Sequence, residues 1–156
     1  MREGLTAILR CPACGRDGTL ALRAAERDER EVRAGTLTCS HCAARFPVSG
    51  GIAELMPDPP AFVRRERAGL ERFAQVMRED GWDEERIRAL PQVDLPYWHG
   101  QRKAIDSLLE RAPLRAGERL LDVGSNTCWA SNLFATRGLE VVALDISTAE
   151  LQGLRT

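Results

Sequence analysis

The sequence predicts an α/β chain built in two parts, and three observations carry that reading. Two Cys-x-x-Cys pairs, Cys11/Cys14 and Cys39/Cys42, bracket a stretch with hairpin character in the first third of the chain. Asp58-Pro59-Pro60 then breaks any strand or helix, because consecutive prolines can continue neither. Near the end, two continuous apolar runs, at 120–123 and 141–144, flank an amphipathic segment, the strand, loop, helix, strand order of a βαβ crossover. The expected parts are residues 1–57, a helical linker over 58–99, and an incomplete βαβ-type domain over 100–156.

Composition fits folded, water-facing protein. Of the 156 residues 29% are charged and 44% belong to the hydrophobic set, which is globular usage rather than that of a disordered tail. The net charge of −1 leaves no basic footprint for nucleic acid. No run approaches the roughly 18 apolar residues of a membrane helix, and the first residues lead into no signal-peptide core. The chain is therefore expected to be cytoplasmic. In a reducing compartment five cysteines are better read as metal ligands with one spare than as disulfides.

The cysteine spacing is the sharpest signal. Each Cys-x-x-Cys turn aims two thiolates at one cation, and two such turns supply the four sulfurs of a closed tetrahedral Zn2+ site at about 2.3 Å each. Cys11, Cys14, Cys39 and Cys42 are the expected ligands, with Gly15 supplying the open backbone of the first turn. A redox reading is disfavoured, since neither pair opens a helix after a strand, where a thiolate is activated. His41 lies between ligands and is expected to face solvent. The 24-residue spacer divides into 19–22, a charged tip over 26–31, and 35–38, a hairpin carrying both turns. Phe46, Val48, Ile52, Leu55 and Met56 are expected to pack over it, because a part this small needs both a metal and a modest core.

Residues 8–57 resemble the zinc-ribbon module found as the small activator subunit of tRNA and release-factor methyltransferases, and fused N-terminally to some bacterial methyltransferases. The resemblance rests on Cys11-Pro-x-Cys-Gly, Leu37-Thr-Cys-x-x-Cys, Phe46-Pro-Val and Gly50-Gly-Ile.

Beyond the prolines, 61–78 shows Phe62, Leu70, Phe73, Val76 and Met77 near helical spacing. Its arginines alternate with Glu66 and Glu71 as on a solvated face, so a packing helix is preferred over an RNA-contacting one. Asp83 is placed to cap a short helix ending before Pro91. An aromatic loop at 95–100 and an amphipathic helix over 101–112, with Ala104, Ile105, Leu108, Leu109 and Ala112 inward, lead to the first buried strand.

That strand ends in Gly124-Ser125-Asn126. The helix after it is expected to be capped by Asn126 or Thr127, with Ala130, Leu133 and Phe134 inward and Gly138 just past its end. Asp145 falls at the tip of the second strand, 21 residues after Gly124, where a carboxylate can accept from two ribose hydroxyls. A dinucleotide would want G-x-G-x-x-G, and only the first glycine is present, with Asn126 and Trp129 in the other two places. The loop therefore suits a ligand with ribose and no pyrophosphate.

These residues resemble class I S-adenosylmethionine-dependent methyltransferases. Leu120-Leu121-Asp122-x-Gly124 matches the first motif and Val141 to Ser147 the second. Asn126 and Cys128 stand where that family usually has glycines. Asn tolerates left-handed backbone angles and is expected to keep the turn, whereas Cys128 narrows the loop. The resemblance implies a Rossmann-like fold, S-adenosyl-L-methionine as cofactor, and cofactor contacts from Asp122, Gly124, Ser125, Asn126, Asp145 and Ile146. It also offers Tyr97 and Trp98 a place over the methionine end, beside the plainer reading of both as core aromatics. That fold usually continues through further strands, so the chain is expected to be the N-terminal portion of such an enzyme, with a sheet open to self-association. No residue stands out as catalytic, and the chain alone is expected to transfer no methyl group. The acceptor is open between RNA and a small molecule. The competing reading is a zinc-ribbon binding or activator module that docks on a partner protein.

Overall fold

The computed structural model describes residues 1–154. The chain divides into two compact units, Met1–Pro60 and Ala61–Thr156. In the first unit a 3-10 turn, Glu3–Ala7, precedes four strands: β1 (Leu20–Arg27), β2 (Val32–Cys39), β3 (Arg45–Ser49) and β4 (Ile52–Ala53). They form one antiparallel sheet in sequence order. Register puts Leu20 opposite Cys39, Leu22 opposite Leu37, and Leu37 opposite Phe46, so these side chains share one face. Leu20, Leu37, Cys39, Phe46 and Val48 make the core of that face together with Met1 and Cys11, while Leu55 packs at its margin. Met56, expected inside, is exposed.

The hairpin is longer than the charge pattern suggested, and only 28–31 remain as its tip. The reason is Asp28, whose carboxylate accepts from the Arg30 and Glu31 amides at 2.8 and 2.9 Å and from Arg33 Nε at 2.6 Å. These donors, the two amides foremost, hold its carboxyl down at about 2. The β3–β4 turn is a two-residue one, with Gly50 and Gly51 both at positive φ as the twist of a tight hairpin demands.

Gly35 is required for a different reason. It lies where the β1–β2 register shifts, and a Cβ there would sit 2.5 Å from the Arg23 carbonyl oxygen. Gly35→Ala is therefore expected to push the strands apart and lower stability by about 1–3 kcal/mol, the usual range for overpacking. A thermal melt of the metal-loaded chain unchanged by this substitution would contradict it.

The second unit runs α1 (Ala61–Glu79), α2 (Glu84–Arg88), α3 (Pro96–Arg111), β5 (Arg119–Val123), α4 (Trp129–Ala135) and β6 (Glu140–Leu144). Helix α1 has the expected extent, and Met77 is buried as expected, but the rest of the inward stripe differs. Val63, Ala74 and Met77 are buried, whereas Phe62 is 65% exposed and Phe73 and Val76 are also exposed. The two stripes share a spacing of 11 and 3 residues and lie one residue, or about 100°, apart round the helix. Asp83 caps α2 by accepting from the Arg86 amide at 2.8 Å. Helix α3 begins five residues earlier than expected, because Pro96 at the first helical position has the right φ and no amide to leave unpaired. The aromatic stretch is thus its first turn. Ala104 and Leu108, expected inward, are exposed.

Strands β5 and β6 pair in parallel, Leu121 opposite Val142 and Asp122 opposite Ala143, with α4 between them in sequence. Ser131 of α4 donates to Asp122 at 2.6 Å, so the face carrying Asp122 is the one toward α4. On the other face Leu121 is 61% and Val123 70% exposed, unlike the doubly covered strands of most parallel sheets. After β6, residues 146–154 make bends and turns; Arg155 and Thr156 lie outside the described residues. Among the described residues no helix is long and apolar enough to cross a membrane.

Candidate metal centre and cofactor loop

The four knuckle cysteines converge. Their Sγ atoms all lie within 4.8 Å of one another, with Cys11–Cys42 and Cys14–Cys39 each 3.8 Å apart. The two turns that bring them there are built alike. The Cys11 amide donates to the Arg16 carbonyl at 2.9 Å and the Gly15 amide back to the Cys11 carbonyl at 2.8 Å. In the second turn the Cys39 amide donates to Ala44 and the Ala43 amide to Cys39, both at 2.9 Å. Gly15 and Ala43 occupy the same left-handed position, φ 69° and 59°. Ala43 holds it despite its Cβ, a conformation that costs an L residue about 1–2 kcal/mol.

The donor set suits zinc. Four soft sulfurs in a cluster of this size match a tetrahedral four-cysteine site, and His41 is exposed as expected, leaving the coordination to sulfur. The electrostatics of the four thiols point the same way. Cys39 is pulled down to about 5, first by the Thr19 hydroxyl beside its Sγ at 3.3 Å and then by backbone amides of the turn. Cys42 is pushed up to about 12: the Ala44 amide pulls it down, but desolvation and the three neighbouring sulfurs outweigh that pull. One thiolate forms readily and the next is resisted, so full ionisation of the cluster calls for a divalent cation.

In the second unit the loop after β5 is a tight polar turn. Gly124, Asn126 and Cys128 all have positive φ, 75°, 47° and 56°, so both non-glycine residues adopt the angles that glycines would supply. Nothing lies within 4 Å of a Cβ placed on Gly124, and that side of the turn is open. The Gly124 and Ser125 amides donate to the Leu144 carbonyl, tying the loop to the end of β6. Asp145 accepts from the Asn126 amide at 2.9 Å and from the Ser147 amide at 2.7 Å, one on each carboxylate oxygen. Each oxygen keeps a lone pair for a ligand hydroxyl.

The expected cofactor residues divide. Gly124, Ser125, Asn126 and Asp145 come together at the carboxyl edge of the two strands; Asp122 is turned to Ser131 of α4, and Ile146 offers its carbonyl to Arg67 Nε. Neither Asn126 nor Thr127 caps α4; its N-cap is Cys128, whose thiol bonds back to Ser125 Oγ and the Asn126 carbonyl rather than to the helix amides. Gly138 is left-handed just past the helix, as expected. Burial raises the Cys128 thiol above its ordinary range, against a smaller opposing pull from Ser125. Trp98 meets Trp129 edge to face at 5.5 Å beside the loop, whereas Tyr97 projects into solvent.

Sequence reasoning missed Gln152. Its Oε1 accepts from Asn126 Nδ2 at 3.2 Å and its Nε2 donates to Met77 Sδ at 2.7 Å, which ties the loop to α1. Among the described residues, Asn126 Oδ1, shut from solvent, finds no hydrogen-bond partner. No local pattern could have announced these links, which span 26 and 75 residues.

No family model and no curated protein matches the chain. Among solved structures, it is similar to a chain of a complex containing the Haloferax volcanii Trm112 methyltransferase activator. That similarity is 33% identity, covering 36% of this chain and 93% of that one, with a TM-score of 0.33.

Proposed function

We propose that the chain is a zinc-ribbon module that docks on a partner protein, and that its partner is a methyltransferase domain. The observation that carries the first step is the convergence of Cys11, Cys14, Cys39 and Cys42 within 4.8 Å. Four thiolates fill a tetrahedral zinc, leaving no position for a water or substrate, so the ion supports the fold and the ribbon acts through its surface. The second step rests on the resemblance of residues 8–57 to methyltransferase activator ribbons. Coexpression with candidate methyltransferase domains, one at a time, is expected to give a stoichiometric complex with one of them. That complex should survive size-exclusion chromatography and be lost in Cys11→Ser. Zinc-loaded chain that forms no complex with any of them overturns the reading.

A second reading is favoured by one observation in the other unit. Asp145, held by the Asn126 and Ser147 amides beside the open turn at Gly124, has the spare acceptors that a ribose needs. On that reading the second unit belongs to an S-adenosyl-L-methionine-dependent methyltransferase, and Gly124, Ser125, Asn126 and Asp145 would hold the cofactor. S-adenosyl-L-methionine supplies the methyl group when bound. Asp145 would accept from its ribose hydroxyls, and Gly124 would let the backbone of the turn come close to it. The acceptor would be RNA or a small molecule.

A further inference from the structure

We propose that Cys42 is the modification site of the metal centre, the sulfur at which electrophiles and oxidants act on the zinc-loaded chain and whose loss lets the ion out. This rests on the reading of the four cysteines as a zinc site. The four ligands are far from equivalent in exposure although their sulfurs form one cluster. Cys11 and Cys39 are 0% and 1% exposed, Cys14 is half-buried, and Cys42 is exposed. Fold geometry explains the order. Cys11 and Cys39 belong to the sheet's core with Leu20, Leu37 and Phe46, and Cys39 Sγ also lies 3.3 Å from the Thr19 hydroxyl. Cys42 ends the second turn, past the end of β2, with exposed His41 and Ala43 on either side.

A zinc-bound thiolate remains a nucleophile, and access decides which one reacts. With hydrogen peroxide as oxidant, the Cys42 thiolate attacks the peroxide O–O bond, giving a sulfenic acid and a hydroxide that takes a proton to become water. The Cys11 thiolate, 3.8 Å away across the two turns, then attacks the Cys42 sulfur. The S–O bond breaks, the departing hydroxide is protonated to a second water, and a Cys11–Cys42 disulfide forms. Two thiolates have lost two electrons and the peroxide has gained them. With only Cys14 and Cys39 left as thiolates, the zinc leaves.

The test uses the full chain, with its zinc content measured first. N-ethylmaleimide at limiting amounts, followed by peptide mass mapping, is expected to label Cys42 before the other three ligands, with Cys128 scored separately as a non-ligand. Hydrogen peroxide, with release followed by a chromogenic chelator, is expected to free one zinc per Cys11–Cys42 bridge formed. Cys42→His keeps a ligand but removes the thiol, and is expected to slow peroxide-driven release about tenfold. Absence of zinc at the outset overturns the site reading and this proposal together. Zinc present but with Cys14 or a buried ligand labelled first, or with the bridge joining a different pair, overturns the proposal alone. Should Cys42→His fail to hold zinc, the labelling order and the bridge in the native chain decide the matter.

Discussion

Cys11→Ser is expected to empty the metal centre and unfold the first unit. The sheet's core is a single layer of seven buried side chains under one face, which is little for a unit of this size. Structural zinc in small modules supplies about 10–16 kcal/mol of apparent binding free energy at neutral pH, far more than such a core can leave in surplus. Cys11 also contributes more than a ligand, being wholly buried and hydrogen-bonded through its amide to the Arg16 carbonyl. A serine there removes one thiolate and places a hydroxyl among Leu20, Leu37 and Phe46. The measurements are metal content and amide exchange. Zinc should fall from one per chain to a background level, and slow exchange across β1 to β3 should be lost. Acid should act in the same direction, because protons compete with zinc for the four thiolates. A Cys11→Ser chain that keeps stoichiometric zinc and slow β-strand amides would contradict this account.

Asp145→Ala is expected to release the loop after β5. The carboxylate receives the Asn126 and Ser147 amides, and hydrogen bonds to a charged group contribute about 1.5–3 kcal/mol each. Losing both should free the turn that holds Asn126 and Cys128 at positive φ, and faster exchange at the Asn126 and Ser147 amides is the direct readout. If the second unit binds S-adenosyl-L-methionine, the same substitution should weaken that binding at least about tenfold by calorimetry, since it also removes the ribose acceptor. NAD is expected not to bind, because two of the three glycines that admit a pyrophosphate are absent. Tighter binding of NAD than of S-adenosyl-L-methionine would reverse the cofactor assignment.

Local chemistry made much of this legible. Two Cys-x-x-Cys pairs announce a four-sulfur cluster, because each turn sets its geometry within a few neighbouring residues, and Gly15 marks its left-handed position. Ala43 gives no such mark at the equivalent position of the second turn, since nothing in an alanine signals a positive φ that tertiary bonds impose. The βαβ order at the end of the chain is equally local, apolar runs on either side of one amphipathic turn pattern. What periodicity could not decide was which of two adjacent stripes of α1 faces inward. Phe62, Phe73 and Val76 are the more hydrophobic set, but Val63, Ala74 and Met77 meet the rest of the unit, where Met77 packs with Ile87, Leu90 and Leu151. Leu151 and Gln152, which fix that choice, lie at the far end of the unit's sequence. Such pairings depend on the whole fold and leave no local trace.

X-ray absorption at the zinc edge on natively purified chain tests the central claim most directly. One zinc per chain is expected, with a first shell of four sulfurs at about 2.3 Å. A shell containing nitrogen or oxygen in place of any of the four, or protein with reduced cysteines and no zinc, would contradict it.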